Sequence, residues 1–326
     1  GYLIIQARTA GGAVPIVGAE IRILDPQGSS VYELTTDESG ETERVSLETM
    51  DRSLSLDPDY SGTPYTGYDV LVRAAGFNSL YISGVPIYED ETAIQPAELL
   101  PMQQTQRSPM VNEITIEKPA AASDIRRIQE KPEPELRVLR QVVIPDPITV
   151  HLGSPSSSAA NVQVRFTDYI KNVASSEIYP TWPDASLRAN IYAIITFALN
   201  RVFTEWYRSR GYSFDITSST AYDQAYVHGR TIFESISRIV DEIFNQYVRR
   251  QGQNAPYFTS FCNGTTATCS GLSQWGTVSL AESGLTPLQI LRNYYPNNIE
   301  IAETNVVTGV LSSYPGTPLR TGSRGL

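Results

Sequence analysis

The spacing of apolar residues changes along the chain, and this change limits what the chain can fold into. Apolar and polar residues alternate over residues 20–24 and 68–73, which is the two-residue period of a half-buried strand. Turn-forming residues, such as those at 37–40, separate these segments. Several short strands with regular turns indicate a small antiparallel β-sandwich over residues 1–101.

From residue 142 onward, apolar residues recur at three- and four-residue steps, which is typical of amphipathic helices. We therefore expect a mainly helical domain with some β structure over residues 142–310, and a multidomain α+β chain. Asp184 is a candidate N-cap, because an aspartate side chain accepts hydrogen bonds from the first N–H groups of a helix. The expected helices cover about residues 167–177, 184–210, 230–251 and 286–294.

Residues 102–141 have the composition of a linker. They contain a Gln-rich stretch at 103–106 and the run Glu-Lys-Pro-Glu-Pro-Glu at 130–135. Polar, proline-punctuated segments of this kind are extended and accessible to proteases. Within this linker, only residues 123–128 have the pattern of a short helical turn.

The chain's net charge of −10 belongs to its first part. Residues 1–141 hold 22 acidic and 12 basic residues, whereas residues 142–326 hold 13 of each. A nucleic-acid-binding protein needs a dense basic patch, which the sequence lacks, so we expect no nucleic-acid partner. No apolar run approaches the roughly 18–20 residues of a spanning helix, so we expect a soluble chain without a membrane span.

Histidine and cysteine are scarce, which limits metal chemistry. The only histidines are His151 and His228, so a multi-histidine zinc site is not expected, and we predict neither a metal nor another cofactor. Cys262 and Cys269 lie in one short loop. A disulfide that closes this loop and a pair of free thiols are both compatible with the sequence.

One carboxylate lies on a helical face that should be apolar. Glu177 follows Ile170 by seven residues and Val173 by four, so it shares the stripe expected to face the core. Burial removes hydration and favours the protonated carboxyl, the form that a general acid needs. Glu177 is therefore a candidate general acid, although its spacing also fits a helix-end glutamate that turns into solvent beside Pro180.

Four sequence blocks resemble the SpoIID/LytB domain. Residues 165–190, RFTDYIKNVASSEIYPTWPDASLRAN, are similar to the family's opening pattern DYI-x-x-V-x-x-E-x-P-x-x-WP-x-x-ALKAQA. Residues 218–226, 270–276 and 288–296 are similar to its S-T-x-x-Q-x-Y, G-(L/M)-S-Q-(W/Y)-G and I-L-x-x-Y-Y-P segments. The blocks occur in the family's order and span about residues 142–301.

This resemblance implies an activity and a set of site residues. Members of the family are peptidoglycan lytic transglycosylases with a single catalytic glutamate, which corresponds to Glu177 here. Some members bind zinc with the help of a His-Cys pair, and Tyr222 and Asp223 occupy those positions in this chain, so zinc is not expected. The matching blocks imply substrate-binding residues with hydroxyl, amide and aromatic groups that fit sugars: Ser273, Gln274, Tyr222, Gln224, Tyr226, Tyr294 and Tyr295.

Two other functions are compatible with the sequence. A muramidase-type hydrolase needs a second carboxylate about 5–10 Å from the first. Asp184 is the nearest in sequence, although its position favours helix capping. A non-catalytic wall-binding or scaffold protein would only hold glycan in its groove, and binding alone gives no reason to bury the carboxylate of Glu177.

The first part of the chain also resembles known modules. Residues 14–19, 36–40 and 68–77 are similar to the carboxypeptidase-regulatory-like, or transthyretin-like, sandwich. The order of sandwich, linker and SpoIID/LytB-like domain resembles that of the clostridial cortex-lytic proenzymes that act in germination. Residues 311–326 resemble the beginning of a peptidoglycan-binding module.

The resemblance to these proenzymes implies partners and a location. It implies spore cortex peptidoglycan as the substrate, and the cortex and coat region of an endospore-forming bacterium as the location. It also implies a subtilisin-like germination protease that removes the first part of the chain. The expected cut lies between Gln141 and Val142.

Overall fold

The computed structural model describes residues 1–106, 108–122, 139–265 and 271–309. The short helical turn expected at 123–128 and the C-terminal residues 311–326 lie outside the described residues. The described residues form two parts, and the α-helices among them all lie in the second.

The first part folds into two facing β-sheets. One sheet has the strand order β4-β3-β6-β7-β9, and the other has the order β8-β1-β2, with β5 also paired to β1. Alternate residues of the strands, among them Ile5, Ile23 and Val70, are buried in the core of this β-sandwich. The strands are β1 (Tyr2–Thr9), β2 (Val14–Pro15), β3 (Glu20–Leu24), β4 (Ser30–Thr35), β5 (Val45–Ser46), β6 (Thr66–Arg73), β7 (Ser79–Ile87), β8 (Thr92–Glu98) and β9 (Val111–Thr115).

The sandwich is mixed, so the expectation of a purely antiparallel one is wrong. β1 pairs with β8 in parallel, and β7 pairs with β9 in parallel. Alternating hydrophobicity indicates which residues face the core, but it does not indicate the direction of the neighbouring strand. β9 lies in the stretch whose composition predicted a linker, so the sheet of the first part continues to Thr115.

The second part is built around one buried helix. α2 has buried residues on all of its faces and contacts each of the other four described helices. The helices are α1 (Phe166–Glu177), α2 (Asp184–Phe203), α3 (Glu234–Ile243), α4 (Gln274–Glu282) and α5 (Pro287–Tyr294). Among the described residues, none of the helices is both long and apolar enough to cross a membrane.

Short strands surround these helices. β11, β12 and β13 form one small sheet, and three further pairs are β10 with β19, β15 with β18, and β16 with β17. The strands are β10 (Ile144–Asp146), β11 (Ile148–His151), β12 (Asn161–Val164), β13 (Ile216–Thr217), β14 (Ile232–Phe233), β15 (Gln246–Arg250), β16 (Phe261–Cys262), β17 (Leu272–Ser273), β18 (Ile299–Glu303) and β19 (Val307–Gly309).

Two predicted helices are shorter than expected. α2 ends at Phe203, and a separate 3-10 turn at Arg208–Arg210 precedes Gly211, which has a φ of +86°. α3 covers only the middle of its predicted range, because the flanking residues pair as strands: β14 with β8, and β15 with β18. The apolar residues near both ends of that range are therefore buried by sheet pairing rather than by a longer helix.

Asp184 does not cap α2. Pro183 is the N-cap residue, and no side chain makes a capping hydrogen bond there. The Asp184 carboxylate instead accepts hydrogen bonds from Arg188 Nε at 2.6 Å and from Arg238 Nη2 at 3.2 Å. Asp184 lies in the first turn, where the helix dipole favours a negative charge.

The two parts share a sheet. β14 of the second part extends the β8-β1-β2 sheet of the first part, and Ile232 lies opposite Ile94 in the register. Gln95 of β8 donates a hydrogen bond to the Gly229 carbonyl at 2.8 Å and accepts one from the Thr231 hydroxyl at 2.6 Å. The first part is therefore joined to the second by main-chain and side-chain hydrogen bonds.

Candidate active site

Glu177 is the last residue of α1, and its side chain is fully buried. The Ala225 backbone N–H donates a hydrogen bond to its Oε1 at 2.8 Å, and Gln274 Nε2 donates one to its Oε2 at 3.1 Å. The carboxylate thus lies between α1, the loop before Ala225 and the start of α4. It does not turn into solvent.

The loop that provides the Ala225 N–H is held by two buried side chains. Gln224 accepts a hydrogen bond from the Tyr169 hydroxyl at 3.0 Å and donates one to the Ile194 carbonyl at 3.0 Å. Asp223 accepts a hydrogen bond from Arg201 Nε at 2.9 Å. Both side chains anchor the loop to α1 and α2, so the position of the Ala225 N–H is fixed from both helices.

The start of α4 is equally constrained. Ser273 is its N-cap residue, and its Oγ accepts a hydrogen bond from the Gly276 N–H at 3.0 Å. A Cβ on Gly276 would collide with the Tyr294 hydroxyl, so a larger residue there would require that tyrosine to move. This turn orients Gln274 toward Glu177.

The other residues predicted to bind substrate have different surroundings. Tyr226 is buried, stacks on Tyr169 with ring centroids 5.7 Å apart, and bonds His228 Nδ1 through its hydroxyl at 3.1 Å. Tyr295 is also buried and donates to a backbone carbonyl at 2.9 Å. Tyr222 and Tyr294 are half-buried. Of the predicted set, the structure brings Gln274 into direct contact with Glu177.

Three aromatic residues outside the predicted set pack against one another where α1 ends and α4 begins. Tyr179, Trp182 and Trp275 form a cluster in which the two indole centroids are 4.9 Å apart. Tyr179 lies 5.9 Å from Trp182 and 5.8 Å from Trp275. The signal was available, because Trp182 follows Glu177 closely in its motif and Trp275 follows Gln274 directly.

The first part of the chain covers this aromatic cluster. The ring of Tyr88, from the first part, packs against Tyr179 with centroids 5.9 Å apart. Ser55 Oγ lies 2.7 Å from Thr181 Oγ1, and Arg52 Nη2 donates to the Thr181 carbonyl at 2.6 Å. A 3-10 turn at Ala120–Ala122 follows β9 and contacts α1. All three aromatic side chains are buried, and each contacts a residue of the first part.

Arg230 is a buried cation between the two parts. Its Nε donates to the Ser175 carbonyl of α1 at 2.9 Å, and its Nη1 donates to the Glu117 carbonyl of the first part at 2.9 Å. Burial lowers the pKa of the Arg230 guanidinium, although the nearby Tyr88, Tyr65, Glu117 and Glu177 oppose this change.

Asp184 has the surroundings of an ion-pair residue. Partial burial acts to raise its pKa, but hydrogen bonds from Arg188 and Arg238 outweigh that effect and hold the pKa below its usual value. A carboxylate paired with two arginines is a poor proton donor near neutral pH.

The structure offers no metal site among the residues it describes, where no three His, Cys, Asp or Glu side chains are grouped. His151 instead hydrogen-bonds Asn161 and Ser157. Cys262 is disulfide-bonded, which decides between the two alternatives for that residue, while Cys269 lies outside the described residues.

Several solved structures share weak similarity with the chain. The major pilin subunit of Bacillus cereus is 16% identical over 36% of this chain and 27% of its own, with a TM-score of 0.19. The 5-hydroxyisourate hydrolase of Klebsiella pneumoniae is 12% identical over 32% of this chain and 100% of its own, with a TM-score of 0.21. Catechol 1,2-dioxygenase of Acinetobacter is 13% identical over 34% of this chain and 57% of its own, with a TM-score of 0.20. At such scores these likenesses carry no argument about fold or activity.

The match to a protein family is more informative. No curated protein matches the chain, but residues 156–249 match the family model of the Stage II sporulation protein SpoIID. The matched segment contains Glu177, Asp223 and Ala225. The match supports the SpoIID family for this segment and associates it with sporulation.

Proposed function

We propose that the chain is the proenzyme of a lytic transglycosylase that cleaves spore cortex peptidoglycan, with Glu177 as its catalytic residue. The observation that carries this proposal is the fully buried Glu177 carboxylate, whose two oxygens accept hydrogen bonds from the Ala225 N–H and from Gln274. The order of the parts is similar to that of SleC, the clostridial cortex-lytic enzyme.

A single carboxyl group is sufficient for this reaction. Protonated Glu177 donates its proton to the glycosidic oxygen between N-acetylmuramic acid and N-acetylglucosamine, and the C1–O bond breaks. The resulting carboxylate then accepts the proton of the muramoyl C6 hydroxyl, whose oxygen bonds to C1. The products are a 1,6-anhydro-muramoyl end and a free N-acetylglucosamine hydroxyl, and Glu177 is protonated again. The Ala225 N–H and Gln274 keep the carboxyl in one orientation through both proton transfers.

The cover over the site supports a zymogen. Glu177 and the adjacent Trp182 are fully buried while the first part is attached, so a polysaccharide strand has no access to the carboxyl. Removal of the first part would take away the residues that lie over Thr181 and Tyr179. We therefore assign direct coverage of the site as the mechanism of inhibition.

The proposed cut lies where exposure changes abruptly. Gln141 is exposed, but Val142 is buried and its carbonyl accepts a hydrogen bond from the Thr304 hydroxyl at 2.8 Å. Cleavage of the Gln141–Val142 bond by a subtilisin-like protease would separate the first part and leave Val142 attached to the second part.

Glu177→Gln tests the catalytic role. In the proenzyme cut near Gln141, this variant should lose glycan cleavage by at least about 100-fold, since general acid–base catalysis contributes roughly that much or more. Mass spectrometry of cortex fragments should show 1,6-anhydro-muramoyl ends from the unsubstituted protein after the cut, and far fewer before it. Lys171→Gln, at a residue of α1 that pairs with Asp241 of α3, is the control and should cleave normally.

The type of chain end separates the proposal from its alternatives. Reducing muramic ends in the digest would indicate a muramidase-type hydrolase instead of a transglycosylase. Glycan binding without new chain ends, in both the unsubstituted protein and Glu177→Gln, would indicate a wall-binding or scaffold protein.

A further inference from the structure

Three side chains of the second part donate hydrogen bonds to backbone carbonyls of the first part. Two of the donors are indole N–H groups, and the third is a guanidinium nitrogen. The pairs are Trp182 Nε1 with Ser55 O at 3.1 Å, Trp275 Nε1 with Ala121 O at 3.1 Å, and Arg230 Nη1 with Glu117 O at 2.9 Å.

Each of these donors is connected to the segment that ends at Glu177 or to a residue that bonds Glu177. Trp275 follows Gln274, which bonds Glu177, and Trp182 follows Glu177 by five residues. Arg230 donates to the carbonyl of Ser175, two residues before Glu177. A ligand that replaced the three carbonyls would therefore bind to side chains that are connected to the end of α1, where Glu177 is.

We propose that Trp182, Trp275 and Arg230 form the glycan-binding surface of the cut protein, and that the first part occupies this surface with carbonyls that imitate those of the glycan. The inference rests on the proposed function and deepens it by assigning the substrate contacts. The ligand class is a β-1,4-linked N-acetylhexosamine polymer that carries carboxylates.

The chemistry of the surface matches such a polymer. Acetamido carbonyls and hydroxyl oxygens accept hydrogen bonds, as the carbonyls of Ser55 and Ala121 do here. The indole faces of Trp182 and Trp275 offer apolar area to the C–H face of a pyranose ring, and indoles combine such a face with one N–H donor. While the first part covers these donors, its carbonyls supply the hydrogen-bond partners that buried polar groups need.

Arg230 adds a preference for negative charge. Its Nε is bonded to α1, its Nη1 to the first part, and its Nη2 is buried without a hydrogen-bond partner among the described residues. When the first part leaves, the Glu117 carbonyl leaves with it, and Nη1 becomes free beside the unpaired Nη2. Two adjacent guanidinium nitrogens can bind a carboxylate in bidentate fashion. N-acetylmuramic acid supplies such a carboxylate in its lactyl group.

Tryptophan fluorescence provides a direct test. The chain has three tryptophans, and the third, Trp206, lies in a separate apolar cluster with Tyr207 and Phe214. A protease site introduced within residues 123–138 of the intact Glu177→Gln chain allows controlled cutting without turnover of the ligand. The probe is a tetrasaccharide of alternating N-acetylglucosamine and N-acetylmuramic acid. We expect it to change the fluorescence of the cut protein and to leave that of the uncut protein unchanged.

Matched variants locate the response. Trp275→Phe and Trp182→Phe keep an aromatic ring but remove the N–H, and each should weaken tetrasaccharide binding about three- to tenfold, which is typical of one lost hydrogen bond. Trp206→Phe should leave the affinity unchanged. Arg230→Lys should weaken binding of the tetrasaccharide but not of chitotetraose, which has no carboxylate. Thermal unfolding of each uncut variant identifies any variant that fails to fold. The affinities of the folded variants then test the proposed surface.

Two outcomes are distinguishable. In the first outcome, the cut protein with Glu177 intact cleaves peptidoglycan, but the folded Trp182, Trp275 and Arg230 variants bind the tetrasaccharide as tightly as Trp206→Phe does. This result would overturn the proposed glycan-binding surface and leave the proposed function standing. If the cut protein with Glu177 intact neither cleaves peptidoglycan nor binds the tetrasaccharide, the proposed function fails and takes this inference with it.

Discussion

Asp223 and Arg201 form an ion pair that is removed from water, with 0% and 1% of their side chains exposed. Asp223 also accepts hydrogen bonds from the Tyr207 hydroxyl at 2.6 Å and from the Thr217 N–H at 2.9 Å. A buried carboxylate with this many donors is well compensated, but loss of its charge leaves the arginine without a counter-ion. The pair therefore determines where the loop that contains Ala225 can lie.

Asp223→Asn should destabilise the protein by about 3–5 kcal/mol, because it leaves a buried arginine uncompensated. Urea unfolding measures the change. Arg238→Gln, which breaks an exposed pair with Asp184, is the control and should cost about 1 kcal/mol or less. A free energy of unfolding for Asp223→Asn that equals that of the control would contradict the role assigned to the pair.

Sequence reasoning is most effective at the scale of single residues when a pattern is violated. Glu177 was found because a charged residue occupies an apolar stripe, and the structure buries it. Gln224 was expected to contact sugar, yet its amide is engaged by Tyr169 and Ile194. Spacing cannot reveal this, because the partners of a buried amide depend on how α1 and α2 pack, and that packing is not local in sequence.

At the scale of elements, the two-residue strand β14 contributes more to the join between the two parts than its length suggests. It was predicted as part of a helix, because Ile232 fits the helical stripe of the residues that follow. Its actual partner is β8, about 140 positions earlier in the chain, where Ile232 lies opposite Ile94. Short segments take the secondary structure that tertiary pairing imposes, and propensity carries little weight there.

Gln95→Ala should loosen the join between the two parts. It leaves the Gly229 carbonyl and the Thr231 hydroxyl without their partner, and unsatisfied buried polar groups cost about 1–3 kcal/mol each. We expect the uncut variant to release more glycan fragments from cortex than the uncut wild type.

Gln6→Ala is the matched control for this measurement, since Gln6 bonds Glu41 within the first part. Equal release by the Gln95→Ala and Gln6→Ala variants in the absence of protease would show that the Gln95 contacts do not hold the cover in place.

At the scale of the whole molecule, the uneven distribution of charge between the two parts has a consequence for substrate binding. The excess of acidic over basic residues lies entirely within the first 141 residues, and residues of that segment contact Thr181 and Arg230 near the candidate active site. The substrate proposed here is itself anionic. Repulsion between like charges therefore adds to the steric cover, and it acts over the Debye length of the solution.

Binding of the uncut protein to isolated cortex should strengthen as salt is raised from about 10 mM to about 150 mM, because the Debye length falls from about 30 Å to about 8 Å. The cut second part is neutral, so its binding should change much less over the same range. Sedimentation with cortex fragments measures both. Salt-independent binding of the uncut protein would remove the electrostatic contribution.

The pairing of β14 with β8 also determines whether activation can be reversed. While the chain is intact, the two strands meet at the high effective concentration that a covalent connection gives, typically in the millimolar range. After a cut, the same contact needs two separate molecules, and its occupancy falls with dilution. The freed β8 also becomes a sheet edge with unpaired main-chain groups, which favours self-association of the released part. If the chain is cut as proposed, one peptide-bond cleavage would therefore turn a reversible cover into a one-way release.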